Sequence, residues 1–333
     1  MIISFAGIWN ASMEVEITRP LEKREYIYAS EVGGSLLTRY MRMSAIPPTN
    51  PPNPRSRRKF TAGSTLEWIV GLVLRRAGLL VSEQKRTEDA ITGMLPVHGK
   101  VDFVFGGVPR MDESLSEIEK LGFPPQMQVA TEKIIEHFKK ELGEKEIDRK
   151  ILEVKSLSSM MMAMVQRNRK PLYHHESQAW HYSKCLKMPA EIAYIDRECL
   201  LIEEFDITPS ADEFYRKDIA EMSGCFFAKQ QPPLDKEVLF DSDAQRFTKN
   251  FLVEYSPYLT MFYGYKTPEE YRLAWDKRVS SWNRVFKRCV NGDKMTANNI
   301  AAISDAKDVF GNWDDLVDVA KASGVQINGE DEE

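Results

Sequence analysis

The pentapeptide Ile151-Leu152-Glu153-Val154-Lys155 constrains the fold more than any other stretch of the chain. It is a short apolar run with an acid and a base on alternate residues, and in an extended strand both of those side chains leave the same face. A second run, Val101-Asp102-Phe103-Val104-Phe105, is β-branched and aromatic, carries one carboxylate and is entered through Gly99. Both runs read as neighbouring strands of one sheet. A charge inside a buried run costs several kcal/mol, roughly, unless something pairs with it. A divalent cation, bound through hard carboxylate oxygens and completed by water, is one such partner. The competing account is a buried salt bridge between Asp102 and Lys155, which leaves a further carboxylate without a partner.

The rest of the chain arranges itself around this pair. Residues 1–25 read as an N-terminal arm, and a helix is expected to start at Ser30-Glu31-Val32. Ile46 to Lys59 is proline-rich and ends in Arg55-Ser56-Arg57-Arg58-Lys59, which predicts a basic loop. Its cations suit phosphate contacts, and equally a solvated surface. A helix over Ser64–Ala77 is expected, capped by Ser64 and ended by Gly78. Within it, Ser64-x-x-Glu67 has the form of a capping box. Leu79–Lys85 reads as a strand. Residues 109–149 form a charged helical insertion between the two acid-bearing strands, clearest at Thr131–Leu142. Ser156–Lys170 holds three consecutive methionines, read as core filler or a pliable surface, and the cations Arg167, Arg169 and Lys170. Pro171 precedes a helix over Tyr173–Lys187, on which His175, Gln178 and Tyr182 share a face.

A hairpin of Glu191–Ile195 with Cys199–Glu203 follows, then helical patterns at 210–230 and 265–290. The stripe Trp275, Arg278, Trp282 and Phe286 reads as core. A short helix at Trp313–Lys321 and a disordered acidic tail, Gly329–Glu333, close the chain. The division expected is an arm (1–25), a core (26–208), a helical C-terminal extension (209–290) and a terminal helix with its tail (291–333). The fold class is α/β: a central mixed β-sheet of about four or five strands flanked by helices, with a helical insertion and a helical C-terminal region.

Bulk properties remove some functions. At 333 residues with 43% hydrophobic content the chain builds a full core. A net charge of −5 argues against non-specific coating of nucleic acid, while a local basic surface remains sufficient to hold a backbone. The longest apolar run, Trp68–Leu74, is too short to span a bilayer. The first residues carry no signal-peptide pattern. Cys185, Cys199, Cys225 and Cys289 lack knuckle or redox spacing, so a reduced cytoplasmic protein is expected.

Taken in order, Glu67, Gly99-Lys100-Val101-Asp102, Glu153-Val154-Lys155 and Gln178-x-x-x-Tyr182 resemble the PD-(D/E)XK nuclease superfamily. The branch they are most similar to holds the RecB nuclease domain, lambda-exonuclease-like proteins and the CRISPR-adaptation nucleases, and the match covers about residues 30–205. The resemblance implies a restriction-endonuclease-like core. It implies Mg²⁺ or Mn²⁺ held by Asp102, Glu153 and the Val154 carbonyl, with Glu67 as an additional ligand, which is the other account of that residue. Lys155 would orient or deprotonate water and stabilise charge, while Gln178 and Tyr182 would position the lysine and the DNA backbone. Arg55, Arg57, Arg58, Lys59, Arg167, Arg169 and Lys170 are the candidate DNA contacts.

Many members of that branch carry a four-cysteine iron–sulfur cluster. No cysteine stands near Ser35, and Tyr255-Ser256-Pro257-Tyr258 has serine in its place, so no cluster is expected. The activity implied is a DNA exonuclease of recombination, repair or phage DNA processing. The alternatives are a structure- or sequence-specific endonuclease and an inactive DNA- or protein-binding module. The partners implied are DNA, a helicase, a recombination or annealing protein, or further copies of the chain, with no membrane. His98, His174 and His175 read as structural histidines near the site.

Overall fold

A strand that is apolar on both sides of its pleat must be covered on both faces. Phe103, Val104, Ile151, Leu152 and Val154 are such residues, each less than a tenth exposed. The computed structural model describes residues 21–110, 125–143, 145–208, 211–242 and 244–322, and meets this demand with a six-stranded mixed sheet. Its strands are β1 (Ile27–Tyr28), β2 (Leu80–Asp89), β3 (Val97–Gly107), β4 (Ile147–Leu157), β5 (Ala190–Asp196) and β6 (Ile202–Asp206). β3 pairs antiparallel with β2 and β4, β4 parallel with β5, and β5 antiparallel with β6.

On one face Phe103, Leu152, Val154, Ala193 and Ile195 pack against Leu66, Val70 and Leu74 of helix α2 (Pro54–Arg76). On the other, Ile151, Val104, Ile192 and Tyr194 join residues of α4 (Ser159–Asn168), α5 (Tyr173–Leu186) and α6 (Ala211–Phe227). In α4 the methionine run divides, with Met162 buried and Met160 exposed. The insertion forms helix α3 (Pro125–Leu142), whose Ile135 is buried against Leu72 of α2. Residues 111–124 of that insertion, the arm before residue 21 and the acidic tail lie outside the described residues.

Several boundaries differ from the sequence reading. The first helix, α1 (Leu36–Met43), starts after Gly33-Gly34 and is capped by Ser35, whose hydroxyl accepts the Thr38 N–H at 3.0 Å; Ser30 lies in a 3₁₀ turn. α2 begins at Pro54, capped by Asn53, so Arg55, Arg57, Arg58 and Lys59 occupy its first turns rather than a loop. Proline at the first helical position is pre-set for that start. Ser64 is therefore interior to the helix, which removes the capping box as an account of Glu67. Gly78 does end the helix in the left-handed region, with φ of 66°.

The chain divides into two compact units. One runs to Pro47 and from Pro52 to Pro232; the other holds Pro48–Pro51 and the residues from Pro233 onward. This division falls after Pro232, where the sequence reading places a boundary at 208. α6 belongs to the first unit, and its Tyr215, Ile219 and Met222 enter the sheet's core. It is tied to α1 by Arg39, 1% exposed, which donates to both oxygens of Asp218 at 2.6 and 3.0 Å. Removing one member of a buried ion pair strands the other charge. Asp218→Ala is thus expected to destabilise the first unit by about 3–5 kcal/mol, read from denaturant unfolding; a loss below about 1 kcal/mol, the surface-pair range, would refute that role.

The second unit has two features absent from the sequence reading: the hairpin β7 (Val238–Asp241)–β8 (Arg246–Lys249) and helix α10 (Ala297–Val309). Two short helices, α7 (Phe251–Glu254) and α8 (Leu259–Tyr263), lead to the long α9 (Pro268–Asn291), and α11 (Trp313–Ala322) ends the described chain. Trp275, Trp282 and Phe286 of α9 are buried around Phe247, which stacks flat on Trp313. The aromatic stripe is core, as its spacing predicts. Among the described residues no helix is long and apolar enough to cross a membrane.

Candidate active site

β3 exchanges neighbours along one of its edges. β2 runs beside the other edge from Leu80↔Phe105 to Asp89↔Val97. On the near edge β1 pairs only with Val97 and His98, and β4 joins only from Phe103↔Leu152 onward. Gly99 to Asp102 therefore have no strand on that side, and Asp102 and Glu153 stand where the β3–β4 ladder opens. Crevices at such exchange points are where open α/β sheets bind ligands.

The opened ladder is held by side chains. The Val154 N–H donates to Asp102 Oδ2 at 2.9 Å. In a strand, N–H and C=O of one residue point the same way, so the Val154 carbonyl faces this gap too. Glu153 is 1% exposed. Its Oε1 accepts from Lys155 Nζ at 2.6 Å and from Gln178 Nε2 at 2.7 Å, while its buried Oε2 has no partner. The same Gln178 amide donates to the Tyr182 hydroxyl at 2.9 Å. Both α5 residues reach the site because i and i+4 share a helix face.

Burial dominates the electrostatics. It pushes the Glu153 carboxyl up to about 8; Lys155 counteracts this, and Asp102 adds to it. Asp102 is raised by burial against the pull of Lys155 and the Val154 N–H. Burial also favours loss of the Lys155 proton, yet the Glu153 and Asp102 charges outweigh it and its pKa is raised. Lys155 is a cation here. His174 is lowered to about 4 by burial and by Lys155, and His175 lies well below its ordinary value, with Nδ1 at 3.1 Å from the Tyr194 hydroxyl. Both are neutral near pH 7. His98 instead stacks on Tyr26.

The donor set suits a hard cation. Oε2 is a buried carboxyl oxygen with no hydrogen-bond partner, and oxygen donors are what Mg²⁺ takes once the carboxyl is ionised, with several waters retained. Among the described residues, no three His, Cys, Asp or Glu side chains gather to hold an ion by themselves. The protein's share of such a shell would thus be the Asp102–Glu153 pair with the neighbouring carbonyl. Glu67 is raised by burial and by Asp102, so it lies in their field, but its Oε1 accepts from Gln84 Nε2 at 2.7 Å. The structure does not bring Glu67 into a ligand trio.

Gln84 is the site residue that sequence reasoning missed. It lies between the register pairs Glu83↔Phe103 and Lys85↔Val101, across from Asp102, with a left-handed φ of 52°. Such backbone in a non-glycine residue is uncommon and clusters at functional sites. Nothing in the local sequence signals it.

The predicted DNA contacts fall in two places. Lys59 precedes Glu67 by about 12 Å along α2, and Arg55, Arg58 and Lys59 are exposed. Arg167, Arg169 and Lys170 are exposed at the C-terminal end of α4, where Arg169 caps the helix.

Gly99 is required by packing. A Cβ there would lie 2.5 Å from Tyr182 Cε1, 2.7 Å from Thr87 Oγ1 and 3.0 Å from His181 Nε2. Gly99→Ala is expected to push Tyr182 away and cost about 1–3 kcal/mol. An unchanged unfolding midpoint would count against this packing.

The chain matches no family model and no curated protein. Among solved structures it is similar to one titled "Crystal structure of SSO0001", at 12% identity and a TM-score of 0.37, covering 71% of this chain and 92% of that one. It is also similar to an alkaline exonuclease (LHK-Exo) from Laribacter hongkongensis, at 11% identity and a TM-score of 0.35, covering 67% and 93%.

Proposed function

We propose that this chain is a metal-dependent nuclease that hydrolyses phosphodiester bonds of DNA, acting from ends, in recombination, repair or phage DNA processing. The observation that carries the reading is Glu153: a fully buried carboxylate with one oxygen fixed by Lys155 and Gln178 and the other unpartnered, beside Asp102. Asp102, Glu153 and the Val154 carbonyl would hold Mg²⁺ or Mn²⁺. When bound, the cation supplies a lowered water pKa and neutralises charge on the phosphate.

The chain's own residues do the rest. Lys155, kept protonated by the two acids, stabilises negative charge as it develops on the phosphate oxygens. A protonated lysine takes no proton, so of its two expected roles the electrostatic one is favoured. Gln178 binds Glu153 Oε1 and keeps Oε2 turned from it, and Tyr182 braces Gln178. Arg55, Arg57, Arg58, Lys59, Arg167, Arg169 and Lys170 would hold backbone phosphates in register without reading sequence. A helicase, a recombination or annealing protein, or further copies of the chain would be its partners, in the cytoplasm.

The test is digestion of end-labelled linear and covalently closed circular DNA, single- and double-stranded, with Mg²⁺, Mn²⁺ or chelator. Metal-dependent loss of linear DNA alone is expected. Cutting of closed circles would replace the exonuclease by an endonuclease. Absence of cleavage with every metal would overturn the reading.

A further inference from the structure

At the Gly99–Lys100 stretch of β3 a cavity of about 830 Å³ opens, lined by Tyr26, Tyr28, Arg86, Glu88, His98 and Lys100, with Glu88 3.8 Å from the His98 ring nitrogen. Gln178 and Tyr182 of the candidate site also line it, so it borders that site. Its size is that of a small-ligand pocket, roughly 300–1,000 Å³.

Two features of the lining define what fits. The first is aromatic. Tyr26 stacks on His98 with centroids 4.3 Å apart and planes 13° apart. Tyr28 meets Tyr26 edge-on, their hydroxyls 3.1 Å apart, and is 40% exposed. The Tyr28 ring is braced by the Arg24 guanidinium, 4.3 Å from its centroid, which Glu31 holds at 2.6 and 2.7 Å. These rings are set in place before any ligand arrives.

The second is electrostatic. Arg86 and Lys100 are direct cross-strand partners, and both are exposed. Like charges placed opposite one another destabilise a sheet, and an anion between them removes that cost. Fixed rings beside paired cations match one ligand chemistry: a base with its phosphate.

We infer that this cavity seats an unpaired nucleotide of the substrate strand, its base against Tyr26 and Tyr28 and its phosphate on Arg86 and Lys100. The inference rests on the nuclease reading and narrows its substrate to DNA that is single-stranded beside the scissile bond. A base within a duplex is stacked on both faces and cannot enter.

The test is fluorescence anisotropy of the full chain carrying Lys155→Ala, with Mg²⁺ present. The ligands are a labelled single-stranded oligonucleotide, the same backbone with abasic residues, and a blunt duplex. The single strand is expected to bind more tightly than the duplex. Tyr28→Leu should weaken single-strand binding about tenfold, within the range of one lost base stack, and leave abasic binding unchanged. Arg86→Gln should weaken single-strand and abasic binding equally and lower the salt slope by about one. Equal affinity of Tyr28→Leu and its parent for the single strand would overturn the subsite. Cleavage by the chain with Lys155 intact reports the nuclease reading separately. Loss of cleavage with Tyr28-dependent binding retained would overturn only the nuclease reading, and binding of no DNA at all would overturn both.

Discussion

Lys155→Ala is expected to lower metal-dependent cleavage by roughly a thousandfold, the scale on which single charge-stabilising groups act in hydrolytic sites. The expectation follows from position and charge state together. Lys155 Nζ lies 2.6 Å from the one Glu153 oxygen that is already partnered, and the surrounding acids keep it protonated. On the proposed reading, the substitution would remove a cation from the reaction centre while the basic residues on α2 and α4 would remain to hold DNA. Single-turnover rates at saturating metal should fall, with DNA affinity changed only slightly. A rate within tenfold of the parent would remove Lys155 from the chemistry, and a parallel loss of affinity would make it a binding residue instead. Lys155→Arg keeps the charge but not its compact shape, and is expected to recover only part of the rate.

Glu153→Gln should remove most of the pH dependence of stability. The ordinary value for the Glu153 carboxyl is 4.5, and burial pushes it up to about 8 in the folded chain. Between those two values the unfolded chain releases a proton that the folded chain retains. Folded-state stability therefore falls as pH rises through this window, and the stabilisation is complete only below it. The linkage is worth several kcal/mol in order of magnitude. Asp102 and Glu67 are raised as well and act in the same direction. Without added metal, the thermal midpoint of the parent should drop between pH 5 and pH 8, and that of Glu153→Gln should drop much less. Mg²⁺ or Mn²⁺ should raise the parent's midpoint at pH 8, where the carboxylate is available, and barely move the variant's. An equal metal-induced rise in both proteins would show that the ion is not held by Glu153.

Much of the site was legible because its signals are short-range. Glu153 and Lys155 alternate on a strand, and Gln178 and Tyr182 are one helical turn apart; both facts follow from backbone periodicity. Gly78 ended its helix for the same kind of reason, and Trp275, Trp282 and Phe286 declared a buried face. The failures occurred where two local signals competed. Ser64 offered a plausible cap, but Asn53 followed by Pro54 is a stronger start, and the helix reaches back to carry the basic cluster with it. At the other end of the chain, the β7–β8 hairpin is too short to produce a clear period, yet its Phe247 centres the aromatic core of the second unit.

The sequence by itself determined two acid-bearing strands and a helix with Gln178 and Tyr182 on one face, because each carries its periodicity in a few adjacent residues; that they would meet was implied by the resemblance. Only the tertiary structure decided that β3 passes from β1 to β4 between His98 and Phe103, leaving Gly99 to Asp102 open. It also decided that Gln84 stands across from Asp102, and that Tyr26 and Tyr28 wall a cavity with Arg86 and Lys100. These arrangements join residues far apart in the chain through strand register. Register is fixed when whole strand faces are buried against their helices, and which distant residues it sets opposite one another is not readable from any one segment.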